Sequence, residues 1–340
     1  MKTLVRVIPL LSLLIVLPLY GEVGGGLLTP ENQTIYLRHI VEQTTDQSQR
    51  EAALKLMGSA GTYQALTFAA SLLGDEQKQT AQAAAEAVWT ILEAHPDYNG
   101  KESREMLRRA IPLLAGKQKK AAKAWLSAAG GDEEGFVCLF NGKNLDGWKG
   151  LVENPIARSK MSQEELAKAQ EKADELMRRD WIVENGDLLY IGHGWDNICT
   201  VKDYADFELL VDWKLDPSGK EPDAGVYLRG APQVQIWDIR RTDVGAQVGS
   251  GGLYNNKKNP STPTSVEDNK LGEWNTFRII MRGEKVTVWL NGTKVVDNVV
   301  LENYWDRNLP IFPREQIEMQ AHGSRCYFRN IYVKQLKVES

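Results

Sequence analysis

Gln316-Ile317-Glu318-Met319-Gln320-Ala321-His322-Gly323, close to the C-terminus, alternates apolar and polar residues. Successive side chains of a β-strand point to opposite faces. The stretch therefore predicts Ile317, Met319 and Ala321 against a core, with Glu318, Gln320 and His322 on the other side. Two upstream stretches divide in the same way. In Asp223-Ala224-Gly225-Val226-Tyr227-Leu228-Arg229, Ala224, Val226 and Leu228 oppose Asp223, Tyr227 and Arg229. In Gln233-Val234-Gln235-Ile236-Trp237, Val234 and Ile236 oppose Gln233, Gln235 and Trp237. Three strands of one sheet would then carry carboxylate, imidazole, guanidinium, amide and aromatic groups on a single face. A merely solvated face also reads as polar, but it is usually built from Lys, Thr and Ser. The groups gathered here suit a sugar.

The 340 residues suffice for two domains with a core in each. Residues 1–21 read as a secretory leader, with Lys2 and Arg6 ahead of an apolar run too short to span a bilayer comfortably. No cysteine follows that run, so a lipid anchor is not expected, and the chain reads as periplasmic or secreted with no membrane span. Without Lys2 and Arg6 the balance is 39 basic against 45 acidic residues, which offers nucleic acid no electrostatic footprint. Cys138, Cys199 and Cys326 are too few and too dispersed for a disulfide framework or a zinc site. Buried unpaired thiols are expected, with a single bridge left open.

Residues 28–130 are rich in Ala and Gln and periodic as helices. Ala52-Ala53-Leu54-Lys55-Leu56-Met57, Ala84-Ala85-Glu86-Ala87-Val88-Trp89 and Ala121-Ala122-Lys123-Ala124-Trp125-Leu126 resemble one another at spacings of 32 and 37 residues. That period suggests helix pairs similar to HEAT repeats, the alternative being a plain helical bundle. Neither carries a chemical motif; a docking role toward a protein partner is open. Gly130-Gly131-Asp132-Glu133-Glu134-Gly135 marks the boundary. Beyond it, over residues 135–338, short alternating runs rich in Val, Ile, Tyr and Trp are separated by Gly, Asn and Asp. Asn291-Gly292 and Asn185-Gly186 are hairpin turn signals, and the whole predicts one antiparallel β-sandwich. Ser162-Gln163-Glu164-Glu165 opens an inserted amphipathic helix with a capping box. Gly249-Ser250-Gly251-Gly252 lacks the lysine and helix of a phosphate loop and is expected to be a mobile loop over the site.

Phe136-Val137-Cys138-Leu139-Phe140-Asn141-Gly142-Lys143-Asn144-Leu145-Asp146-Gly147-Trp148 resembles the opening of the 3-keto-disaccharide hydrolase domain family. Asp206-Phe207-Glu208-Leu209, the 223–229 and 233–238 runs, Gly272-Glu273-Trp274-Asn275, Trp289-Leu290-Asn291-Gly292 and Phe328-Arg329-Asn330-Ile331 fit the same family in order. The resemblance implies a jelly-roll sandwich similar to the concanavalin A-like lectins and glucanases, following the HEAT-like helices. It also implies action on glycosides whose C3 hydroxyl has been oxidised to a ketone, so the expected partner is an oligosaccharide or glycoside substrate.

A 3-ketone acidifies the C2 proton, and the glycosidic oxygen on C1 lies β to the carbonyl. Cleavage by elimination needs a base, an electrophile for the enolate and an acid for the leaving oxygen. It does not need the paired carboxylates of an ordinary glycosidase. Glu318 and His322 are the candidate proton-transfer groups, Arg229 the carbonyl partner, and Asp223 an orienting or second acid–base group. Gln235 and Gln320 are candidates for the sugar hydroxyls, Tyr227 and Trp237 for the pyranose face, and His193 for the rim. Glu318 pairing with Arg229, and His322 capping a turn, are the bland alternatives. Trp148, Trp181 and Trp274 read as core aromatics.

No cofactor is demanded. A divalent metal on Asp223, Glu318 and His322 is open, though no tight ligand spacing requires it. The rival readings are a non-catalytic carbohydrate-binding module with a helical docking domain, and an ordinary glycoside hydrolase.

Overall fold

The computed structural model describes residues 29–128 and 135–337; the expected leader and residues 129–134 at the expected boundary lie outside the described residues. The first part is helical: α1 Pro30–Gln43, α2 Gln47–Ala60, α3 Tyr63–Ser71, α4 Lys78–Ala94, α5 Lys101–Ala110 and α6 Gly116–Ala128. Local chemistry sets the ends. The Asp46 side chain accepts from the Ser48 and Gln49 amides to start α2, and Gly61, at φ 71°, ends it. Small residues let these helices approach closely. A Cβ on Gly58 of α2 would lie 3.3 Å from Ala87 Cα of α4.

The second part is an antiparallel jelly-roll sandwich. Its larger sheet runs β11 (Thr293–Val300), β10 (Lys285–Leu290), β9 (Asn275–Arg282), β6 (Phe207–Leu215), β13 (Cys326–Gln335), β4 (Asp187–Tyr190), β3 (Trp181–Glu184), with β1 (Phe136–Cys138) also on β13. The smaller runs β2 (Trp148–Gly150), β5 (Ile198–Thr200), β12 (Glu318–Met319), β7 (Asp223–Leu228), β8 (Ala231–Trp237). Positive φ at both Asn291 and Gly292, and at both Asn185 and Gly186, makes the two hairpin turns that the sequence signals. Phe207, Leu209, Val211, Phe277, Ile279 and Phe328 of the large sheet meet Ile198, Ala224, Val226, Val234, Ile236, Ile317 and Met319 of the small one in one core. The capping box on Ser162 and Glu165 opens the inserted helix α8 (Gln163–Asp180), preceded by the single turn α7 (Pro155–Arg158). The α8 helix packs on β2: a Cβ on Gly150 would fall 2.0 Å from Ala173 O.

The helices cover the outer face of the larger sheet. Phe136 and Leu210 belong to the helical core, and Tyr63 stacks on Phe136 with ring centroids 4.1 Å apart. Beside this apolar contact lies a buried ionic centre. Asp212 of β6 receives Arg38 Nη1 from α1 at 2.8 Å, Asn330 Nδ2 at 2.8 Å and Thr276 Oγ1 at 2.8 Å, with Arg329 Nε at 3.5 Å. Burial alone would raise the Asp212 carboxyl; Arg38, Arg329 and the hydrogen bonds from Asn330 and Arg38 hold it below the usual range. Arg38→Ala is expected to lower unfolding free energy by roughly 2–4 kcal/mol, the size of a buried pair losing one partner while others remain. Denaturant unfolding of the full chain measures it, and a loss under 0.5 kcal/mol would show that Arg329 suffices.

Two expectations on this scaffold are corrected. Gly249-Ser250-Gly251-Gly252 is built into the sandwich instead of hanging loose over the site. Gly251 N donates to Gln235 O at 2.8 Å, Gln235 N donates to Gly252 O at 3.0 Å, and fully buried Ser250 accepts from Trp237 N. The segment thus pairs along the free edge of β8. Its glycines serve packing, since a Cβ on Gly252 would stand 2.5 Å from Ser261 O. Trp148 and Trp181 are in the core as expected, but Trp274 is half-buried beneath cations, with Arg329 3.9 Å and Lys214 4.8 Å from its ring.

Candidate active site

The outer face of the smaller sheet carries the polar register. Glu318 is the cross-strand neighbour of Tyr227, and Asp223 that of Trp237. Between these rows Gln320 N donates to Gly225 O, and Gly225 pairs with Gln235. Strand alternation places the apolar partners Ala224, Val226, Val234, Ile236, Met319 and Ala321 in the core below.

A cleft of about 630 Å³ opens on this face. Six expected residues line it: Asp223, Tyr227, Gln235, Trp237, Gln320 and His322. Gln235 Nε2 donates to Asp223 Oδ1 at 2.8 Å and Gln233 Nε2 to Gln235 Oε1, an amide chain that fixes the carboxylate. Asp223 Oδ2 lies 3.8 Å from His322 Nδ1. That nitrogen is buried and has no hydrogen-bond partner, while the ring as a whole is 28% exposed, so the edge bearing Nε2 is the one the cleft meets. Burial raises the Asp223 carboxyl to about 6, against the pull of His322, Gln235 and Arg241. Gly225 makes room for the floor, because a Cβ there would fall 2.9 Å from both Gln320 Oε1 and Gln233 Cδ.

Three expected residues are elsewhere. Arg229 is not in the cleft. At φ 50° it turns out of the strand at the β7–β8 connection, pairs with Asp206, and donates Nε to Ala205 O at 2.6 Å. It does not pair with Glu318 either. Glu318 shares the polar face but is 1% exposed and absent from the cleft lining. Four residues of chain separate it from His322, a reach of at most about 14 Å. Burial, with repulsion from Glu315, raises its carboxyl to about 8 despite Arg158 and a hydrogen bond from Asn197. His193 is exposed and does not line the cleft; its loop instead brings Trp195 edge-on to His322, with centroids 4.6 Å apart. With Glu318 removed from its partners, the three-ligand metal site is not assembled, and no group of three or more His, Cys, Asp or Glu suited to a metal occurs among the described residues.

Several residues that line the cleft carry no strand signal. Arg241, 15% exposed, supplies the guanidinium that Arg229 does not. It follows a turn in which Arg240 is tied to Asp238 by two bonds of 2.9 and 3.0 Å. Tyr254, Tyr304 and Trp305 come from loops distant in sequence. Asn197 ties the floor together, since its Oδ1 accepts from Ala321 N at 2.9 Å and its side chain bonds both Tyr227 and Glu318. All three cysteines are free, two of them fully buried.

The chain belongs to the family of 3-keto-alpha-glucoside-1,2-lyase-like domains, whose profile matches residues 135–334. It is 22% identical over 289 residues to a 3-keto-disaccharide hydrolase of Bacteroides thetaiotaomicron, a span of 70% of this chain and 91% of that protein. Among solved structures it is similar to a Parabacteroides distasonis protein described as a glycosyl hydrolase, at TM-score 0.42 and 22% identity, covering 66% of this chain and 99% of the other. The carbohydrate-binding module CBM66 of Bacillus subtilis matches at TM-score 0.33 and 9% identity, covering 57% and 98%. The chain is thus a carbohydrate-active protein of the glycosidase-like kind.

Proposed function

We propose that this protein is an exported enzyme that cleaves the glycosidic bond of 3-keto-glycosides by elimination across C1 and C2. The observation that carries the reading is the Asp223–His322 pair, 3.8 Å apart at the wall of a polar cleft. In this reading His322 Nε2 takes the C2 proton, and the Asp223 carboxylate, 3.8 Å from Nδ1, stabilises the imidazolium by its charge. The electrons flow to the C3 oxygen as an enolate, which Arg241 stabilises. Collapse of the enolate expels the C1 oxygen, which takes up the proton now on His322 or one from water. The product is a 1,2-unsaturated 3-keto sugar; addition of water to C1 yields the free 3-keto sugar. Gln233 and Gln320 are the groups for the remaining hydroxyls, with Gln235 holding Asp223 in place. The helices, read as HEAT-like pairs, line no part of this cleft and fit a structural or protein-docking role.

Incubation of the purified chain with a 3-keto-disaccharide and with its unoxidised parent, in D2O and followed by NMR, tests the chemistry. The ketone should be cleaved and the parent left intact, with deuterium entering C2 where proton transfer is reversible. Equal cleavage of the parent, with C2 hydrogen retained, would assign ordinary glycoside hydrolysis instead.

A further inference from the structure

We infer that Tyr304 and Trp305 form a separate subsite on which the ring of a sugar leaving group stacks. The inference rests on the cleft reading above for the direction of cleavage.

Four aromatic side chains among the described residues are exposed: Trp195 at 64%, Tyr254 at 50%, Tyr304 at 42% and Trp305 at 36%. Three line the one cleft, and the fourth packs on His322 at its wall. Aromatic surface left in water around a polar groove marks a place where it is covered by something. The four fall into two groups. Trp195 stands against His322 and Tyr254 against Trp237, so both flank the row that carries Asp223. The other pair stands at the β7–β8 turn, where Trp305 Nε1 donates to Gly230 O at 2.7 Å. Asp223, beside the first group, and Tyr227, next to the β7–β8 turn, both line the cleft and stand four strand residues, or about 13 Å, apart. One pyranose cannot touch both groups.

The second group is rigid although exposed. Trp305 is held by that indole bond and by Asn303 Oδ1 on its backbone amide at 3.0 Å. Tyr304 meets it edge-on, with centroids 4.9 Å apart and planes at 87°, and Arg307 lies 5.4 Å from the Tyr304 ring. A platform already fixed loses little freedom when a ligand lands on it. Amide groups reach this end: Asn255, whose backbone carbonyl accepts from Arg307 Nη2 at 2.7 Å, and Gln233, three residues past Gly230, both line the cleft. A flat apolar leaving group would cover those amides without bonding them, at the cost of unpaired polar groups. A sugar ring offers an apolar face to the aromatic pair and hydroxyls to the amides.

Tyr304→Ala, assayed in the full chain with a 3-keto-disaccharide and with methyl 3-keto-glucoside, separates the two halves. KM for the disaccharide should rise about tenfold, the scale of one aromatic stacking contact, with kcat changed less than twofold. The methyl glycoside, which lacks the second ring, should be unaffected, and Tyr304→Phe should restore the wild-type KM. Equal effects on both substrates, or none on either, would overturn the subsite. If the wild type cleaves neither ketone, calorimetric binding of the unoxidised disaccharide and methyl glucoside decides it. A disaccharide preference lost in Tyr304→Ala keeps the subsite while the chemistry falls; no preference removes the subsite.

Discussion

His322→Ala and Asp223→Asn are each expected to lower kcat/KM on a 3-keto-disaccharide by about 10² to 10⁴, the range for losing a positioned acid–base group. The two should differ in pH dependence. With Asp223 raised to about 6 by burial, wild-type activity should fall as pH drops through that value and the carboxylate is neutralised. The charge of His322 pulls Asp223 downward, so in His322→Ala any residual activity that uses the Asp223 carboxylate as base should fall on the acid side at a higher pH. Asp223→Asn should have no such limb. Arg241→Lys should also be damaging, since an ammonium cannot reproduce the planar fork. Arg229→Lys should instead cost stability, because Arg229 serves Asp206 and two backbone carbonyls away from the cleft. Rate profiles from pH 4 to 9 check the first three, and denaturant unfolding checks Arg229→Lys. Full activity in His322→Ala would remove the proposed base.

The strands were legible because burial on one face imposes a period of two: the 223–229 stretch matches β7 to within one residue and 233–237 lies inside β8, while 316–323 is strand only at Glu318–Met319. The same rule brought six site residues to one cleft. It failed where alternation stops being the controlling geometry. Arg229 follows Leu228 in the pattern, yet the chain has already entered its turn there, and a positive φ swings the guanidinium toward Asp206. Glu318 obeys the pattern and still misses the cleft. A period of two assigns a face, while what lies over that face depends on segments remote in sequence. Here those include the Arg158–Glu315 pair at 2.8 Å and the α7 turn, whose Pro155 presses on Gly230. Arg241, Tyr254, Tyr304 and Trp305 sit in loops, which have no period to read. The glycine run at 249–252 misled in the other direction. Glycine permits mobility and close packing alike, and only the neighbours show which applies.

Glu318→Gln should leave turnover within about tenfold of wild type and change how stability responds to pH. The reasoning starts from burial. Glu318 is 1% exposed, its Oε2 has no hydrogen-bond partner, and its carboxyl is raised from 4.5 to about 8. The folded state therefore holds the proton more tightly than the unfolded chain. Its contribution to stability is complete below pH 4.5 and is lost as pH rises through about 8. At 1.36 kcal/mol per pH unit, the loss by pH 9 is on the order of 3–5 kcal/mol. Glutamine keeps the shape, stays neutral throughout and can bond Asn197, so the variant should not suffer it. At pH 5 the two proteins should unfold at similar denaturant concentrations. At pH 9 the variant should be the more stable by several kcal/mol. Taking the difference between the proteins cancels Asp223, whose raised carboxyl adds a loss of the same sign between 3.8 and about 6. Parallel stability curves would mean that Glu318 reaches water and ionises freely. Inactivity of a folded Glu318→Gln would return it to the chemistry, through Asn197 and Tyr227 at the floor of the cleft.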